Sequence, residues 1–231
     1  MAYLILFAAG TVVVIMGLRH RASFQLYAGG LGTGLVGMSI DFPYPVYPLL
    51  FLLLFGGCVA AYVAWTVKLS QSLRWSTLGL AIVFWLFWAF KLNVPAVCDE
   101  PTADLLYLNW FFPLLFVIWA FYTVTNTYRI ATDMEDLGFF ESLLPSIVSV
   151  GAFLAAWSVV IPWYRNTLWL GITGVLIGLV HMVLGGWLAK RNKDGASGST
   201  TYTFAAVLLL SLGVASVFSN LFWAVPVLSV S

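Results

Sequence analysis

Apolar runs near or above the roughly 18 residues that carry a helix across about 30 Å of hydrocarbon recur along the whole of this chain. The basic residues fall between these runs, nearly all of them in every second gap. Barrel strands are about ten residues of alternating polarity, whereas these runs are continuously apolar, so helices are favoured. Soluble domains carry about 25% charged residues and need that polarity at their surface; here 8% of 231 residues are charged and 62% are hydrophobic. The pattern predicts an all-α, polytopic transmembrane helix bundle, and the lack of any long linker predicts one domain over residues 1–231.

Eight spans are read: Ala2 to Leu18, Phe24 to Ile40, Val46 to Val67, Trp75 to Val97, Leu105 to Thr127, Ser142 to Trp163, Leu168 to Ala189 and Thr203 to Val225. The second is short and crowded with Gly29, Gly30, Gly32, Gly34 and Gly37. A tilted or broken helix is the alternative there, and with it a seven-span chain. The stretch from Arg191 to Thr201 reads as a Gly/Ser loop. No basic n-region precedes the first run, so it is expected to stay attached as a helix. Cys58 and Cys98 are too few and too differently placed for a disulfide framework.

Charge sets an orientation. Arg19 and Arg21 lie in the first gap, Lys68 and Arg74 in the third, Arg129 in the fifth, and Lys190, Arg191 and Lys193 in the seventh. The even gaps hold Asp41, then Asp99, Glu100 and Asp104, then Arg165 as the basic exception. The positive-inside rule places the odd gaps in the cytoplasm and both chain ends outside. The expected location is the cell membrane, as an integral multi-pass protein. A four-plus-four internal repeat is not supported, because the Gly-rich second span matches the seventh better than the sixth.

The sharpest local pattern is in the seventh span. Gly171, Gly174, Gly178, His181 and Gly185 follow at steps of three and four and so share one helical face. Missing side chains allow a neighbouring helix to approach closely; the alternative is a ligand or flat cofactor beside His181. This histidine lies near mid-membrane, where an ionisable group marks a functional candidate unless it is hydrogen-bonded to a nearby Ser, Thr, Asn or carbonyl. His20 is expected at the interface, and two histidines so different in depth exclude a haem held between them.

Lys91, near the outer end of the fourth span, either snorkels to the headgroups or joins Asp99, Glu100 and Asp104 in an outer vestibule. Asn109 in the fifth span, the serines of the sixth (Ser142, Ser146, Ser149), and Ser211, Ser216, Ser219 and Asn220 of the eighth are polar groups inside spans. Interhelical hydrogen bonds are their usual role. Asp133, Glu135, Asp136 and Glu141 read as a solvated turn before the sixth span. Tyr47, Trp75, Trp110, Tyr128, Trp163, Trp169, Trp187 and Tyr202 read as interfacial anchors. Phe84, Trp85, Phe87, Trp88 and Phe90 lie deeper, where contact with lipid or a partner is the simpler reading and a ring-stacking ligand site the other.

No metal-ligand cluster, nucleophile and base set, or phosphate loop stands out, and no cofactor or metal is evident. A membrane subunit or scaffold without catalysis of its own demands the fewest missing residues. Its expected partners are the lipid bilayer and either other membrane subunits or further copies of the chain, with no nucleic acid. A small-solute transporter or channel with a Gly/Ser/Asn-lined path is the alternative. A membrane-embedded enzyme or quinone-binding anchor using His181 ranks third.

Overall fold

The computed structural model describes residues 1–40, 45–70, 72–98, 107–132, 139–191 and 197–218. Most of these residues are helical, with no strand among them. In order they form α1 (Ala2–His20), α2 (Ser23–Tyr27), a π-helical segment (Ala28–Gly32), α3 (Thr33–Ser39), α4 (Tyr47–Thr66) and α5 (Ser72–Cys98). There follow α6 (Leu108–Thr132), α7 (Phe139–Tyr164), α8 (Leu168–Arg191) and α9 (Ser197–Val217). Among the described residues, seven of these helices are long and apolar enough to cross a membrane. The chain divides into two compact units, Met1–Leu114 and Leu115–Ser231.

The second predicted span is one continuous helical path broken by a π turn. Thr33 Oγ1 donates to the Gly29 carbonyl at 2.6 Å, one turn back, at the end of this π segment. The glycines on this segment bring backbones together. A Cβ built on Gly57 of α4 would lie 2.5 Å from the Gly30 carbonyl oxygen, and one on Gly29 would lie 2.9 Å from the carbonyl oxygen of Gly10 in α1. Farther along, the positions of Gly34 and Gly37 are covered by Leu54, Leu80, Leu53 and Leu50. Tyr3 closes the other end, donating to the Ile40 carbonyl at 3.1 Å and accepting from the Val46 amide at 3.3 Å.

Unit 1 also holds an aromatic core. Tyr47 stacks on Trp88 with ring centroids 4.8 Å apart and planes 6° from parallel. Trp85 stacks on Trp88 at 5.2 Å, and Phe111 meets both indoles edge-on at 5.1 Å. Phe84, Trp85 and Trp88 are therefore buried, which corrects the expectation that they face lipid or a partner. Tyr47 is likewise internal instead of an interfacial anchor. Only Phe90 of this group is strongly exposed.

Three helices end on a basic residue in the left-handed region: Arg21 after α1, Lys68 after α4 and Arg165 after α7, with φ of 53°, 55° and 51°. Glycine is usual at that position. A cation there is favoured by the partial negative charge of a helix C-terminus, which offsets part of the steric cost. In unit 2, α9 begins at Ser197, six residues before the eighth span as read from sequence, so most of the expected Gly/Ser loop before Thr201 is helix or lies outside the described residues. The close contact of Gly185 with the Ser199 carbonyl and Thr203 holds this extra turn against α8.

Candidate functional site

The glycine face of α8 is covered along its length by its neighbours. A Cβ on Gly171 would lie 2.7 Å from both the Gly213 carbonyl oxygen and the Val217 amide of α9. One on Gly174 would meet Phe153 of α7 at 2.5 Å, one on Gly178 would meet Leu210 at 2.9 Å, and one on Gly185 would meet Thr203 Oγ1 at 3.1 Å. With five small or flat residues on that stripe, α9 lies backbone to backbone against α8, and His181 is left fully enclosed.

Three helices converge on the histidine. His181 Nδ1 lies 2.9 Å from the Ile177 carbonyl in its own helix. A carbonyl can only accept, so Nδ1 carries the proton and a neutral ring presents Nε2 as an acceptor. Ser149 Oγ of α7 fills that role at 2.8 Å by donating to Nε2, and Trp119 Nε1 of α6 donates to Ser149 Oγ at 3.0 Å. Each hydrogen in this chain has an acceptor. The Trp119 ring lies 5.9 Å from the imidazole and the Tyr202 ring of α9 lies 5.5 Å from it.

Tyr202 extends the polar interior toward the end of unit 2 where α6 terminates. Its hydroxyl donates to the Thr123 carbonyl at 3.2 Å and accepts from Thr127 Oγ1 at 2.7 Å and Asn126 Nδ2 at 3.5 Å. Asn126 Nδ2 also donates to the Glu141 carbonyl at 3.3 Å. Tyr202 is completely buried, which corrects its reading as an interfacial anchor, and Glu141 is 4% exposed in the first turn of α7, which corrects its reading as part of a solvated turn. Replacing Tyr202 with Phe leaves Thr127 and the Thr123 carbonyl without this partner. The expected cost is about 1–3 kcal/mol, read as a lower midpoint of denaturation in micelles, with Thr127→Val recovering part of the loss in the double variant.

The other residues singled out from sequence are dispersed. Asn109 lies within the α6 span, exposed in its first turn. Ser211 and Ser216 bond carbonyls of their own helix, Val207 and Leu212, at 2.8 Å each, instead of crossing to a neighbour. Lys91 is half-buried with Nζ 5.7 Å from the Phe87 ring centroid. Asp99, Glu100, Asp104, Ser219 and Asn220 lie outside the described residues, as do Asp133, Glu135 and Asp136.

Sequence reasoning missed Trp119, Thr123, Asn126 and Thr127 as a set. Their spacing of four, three and one puts them on one face of α6, and an indole, an amide and two hydroxyls on one stripe of an otherwise apolar helix was the available signal. Among the described residues no group of three or more His, Cys, Asp or Glu side chains is placed to hold a metal ion. Comparison of the chain with protein-family models, with curated proteins and with solved structures gives no match, so its assignment rests on its own residues: it is an all-helical, multi-pass integral membrane protein.

Proposed function

We propose that this protein is an integral subunit or scaffold of a larger membrane complex, without catalysis of its own and with both chain ends outward. The observation that carries this reading is the closure of the chemistry at mid-span. Both ring nitrogens of His181 are bonded within the protein, and the imidazole has no exposed surface. Such an interior supports packing of one unit, while exposed apolar side chains of α8 such as Trp169, Leu176 and Val183 are left for lipid or neighbouring chains.

Extraction from its native membrane in mild detergent is the test. Other chains are expected to remain bound in fixed ratio through size-exclusion chromatography, in a particle larger than the 25.4 kDa chain. A monodisperse lone species that moves a defined solute across liposomes would overturn the proposal in favour of a transporter.

One observation favours a second reading, a membrane-embedded acyl hydrolase. The Ser149 to His181 separation is within the reach at which an imidazole takes a hydroxyl proton, and the Ile177 carbonyl holds the ring in the tautomer that a base needs. A fluorophosphonate probe separates the two readings. No labelling is expected for the scaffold; labelling that disappears in both Ser149→Ala and His181→Ala, with the fold retained, would establish the nucleophile.

A further inference from the structure

Four of the five Lys and Arg residues in the first 98 positions, Arg19, Arg21, Lys68 and Arg74, occupy just two gaps, and the only acidic residue over that length is Asp41, on the far side of the second span. Unit 1 joins these two gaps at one end. Leu26 of α2 is completely buried against Ala61 and Ala64 of α4 and Leu73 of α5, with Leu18, Tyr27 and Leu69 packed around them. The Tyr27 hydroxyl is hydrogen-bonded to Ser72 Oγ and lies 3.3 Å from Ser70 Oγ, which ties α2 to the segment between α4 and α5.

Arg19, Arg21 and Lys68 are exposed at this end, while Arg74 is buried with its guanidinium 4.2 Å over the Trp65 ring. A basic residue in the left-handed region follows the last turn of both α1 and α4, which puts a cation beside helix ends that present partial negative charge. Large apolar side chains flank the charges: Phe24 is 83% exposed, Val67 53% and Trp75 39%, with Met16 exposed one turn before Arg19. The basic gaps of the second half differ in sequence, since Asp133, Glu135 and Asp136 follow Arg129, and Asp194 follows Lys193.

We infer that this end of unit 1 is a seat for an anionic phospholipid, the headgroup held among Arg19, Arg21 and Lys68 and the acyl chains lying along Phe24, Val67 and Trp75. A cluster of cations at the ends of membrane-crossing helices sits at headgroup depth, where each contributes attraction to anionic lipid. The exposed apolar rim is what distinguishes a lipid from a free phosphate, which offers nothing to cover it. The inference is independent of whether the protein is a scaffold, a transporter or an enzyme.

The test uses the full chain in nonionic detergent and measures retention of labelled phosphatidylglycerol against labelled phosphatidylcholine. The anionic lipid is expected to be retained preferentially, and the preference is expected to collapse in about 1 M salt, where the screening length falls to about 3 Å. Each neutralised side chain should weaken retention about fivefold, so the triple variant Arg19→Gln, Arg21→Gln, Lys68→Gln loses roughly a hundredfold. Lys190→Gln with Arg191→Gln keeps the preference, as does the charge-conserving pair Arg19→Lys with Arg21→Lys, which guards against misfolding of the triple variant. Equal retention of the two lipids, or a well-folded triple variant that still prefers phosphatidylglycerol, would overturn the inference. So would displacement of the labelled lipid by inorganic phosphate at low millimolar concentration, which would reveal an anion site indifferent to acyl chains.

Discussion

Replacing Trp88 with Ala is expected to destabilise the protein by about 3–5 kcal/mol, the usual cost of removing a large aromatic side chain from a packed interior. Trp88 has no exposed surface and contacts Tyr47, Phe84, Trp85 and Phe111 at ring separations between 4.8 and 5.5 Å. In lipid the gain from excluding water is small, so the loss is chiefly one of van der Waals contact, and neighbouring rings stacked at fixed angles cannot close the space without leaving their own partners. Thermal or denaturant unfolding in micelles measures the change. Phe90→Ala, one half-turn away and 63% exposed, serves as the control and should shift the midpoint by less than about 1 kcal/mol. Equal effects at the two positions would mean that the aromatic core is not where unit 1 is held together.

Gly171→Ala should cost nearly as much as a buried truncation, although it adds a single methyl group. The new Cβ would fall 2.6 Å from Val217 Cγ2 and 2.7 Å from two backbone atoms of α9. A side chain can rotate away, but a carbonyl and an amide inside a helix move only with the helix. Separation of α8 from α9 would then loosen the contacts at Gly178 and Gly185 as well. About 3 kcal/mol is expected, at the upper end for overpacking. Gly186→Ala on the same helix meets nothing within 4 Å and should instead stabilise by about 0.5–1 kcal/mol, through the helix propensity of alanine. Opposite signs at two glycines on one helix provide a sharp test, and a stabilising Gly171→Ala would refute the backbone contact.

The same device appears in each unit. Built onto Gly29, a Cβ would meet the carbonyl of Gly10 and the amide and Cγ2 of Val14; built onto Gly213, it would meet the carbonyl of Gly171 and the amide and Cγ2 of Val175. A glycine on one helix thus rests on a Gly-x-x-x-Val step of another in both cases. These are spans one and two in the first unit and spans seven and eight in the second, so they do not align as successive halves of a four-plus-four repeat. Two helices whose glycines face one another reach van der Waals contact along their backbones, and weak Cα–H to carbonyl contacts favour that geometry. Recurrence follows from the solvent, which supplies little other force for helix association.

The interior polar groups show the complementary constraint. Trp119, Ser149 and His181 form one hydrogen-bonded chain, and Tyr202, Thr127 and Asn126 form another, so these six side chains find their partners inside unit 2. Such matching restricts which rotation of α6, α7, α8 and α9 is acceptable, because turning any one helix strands a partner in hydrocarbon.

Residue order alone was enough to determine the environment, the helical class and the approximate spans, because the length of an apolar run needed to cross a bilayer is set by the bilayer. It also marked the inward faces of α8 and the second span, since glycine stripes and a mid-span histidine have a cost in lipid unless something close accepts them. Tertiary structure alone decided that Phe84, Trp85, Trp88, Tyr47 and Tyr202 point inward, that Ser149 is the partner of His181, and that Glu141 is enclosed. In water an apolar face announces the core by contrast with a polar one. A membrane helix is apolar on both its lipid face and its packed face, so burial of a large aromatic side chain leaves no periodic trace in the sequence, and only the placement of the neighbouring helices can settle which way it turns.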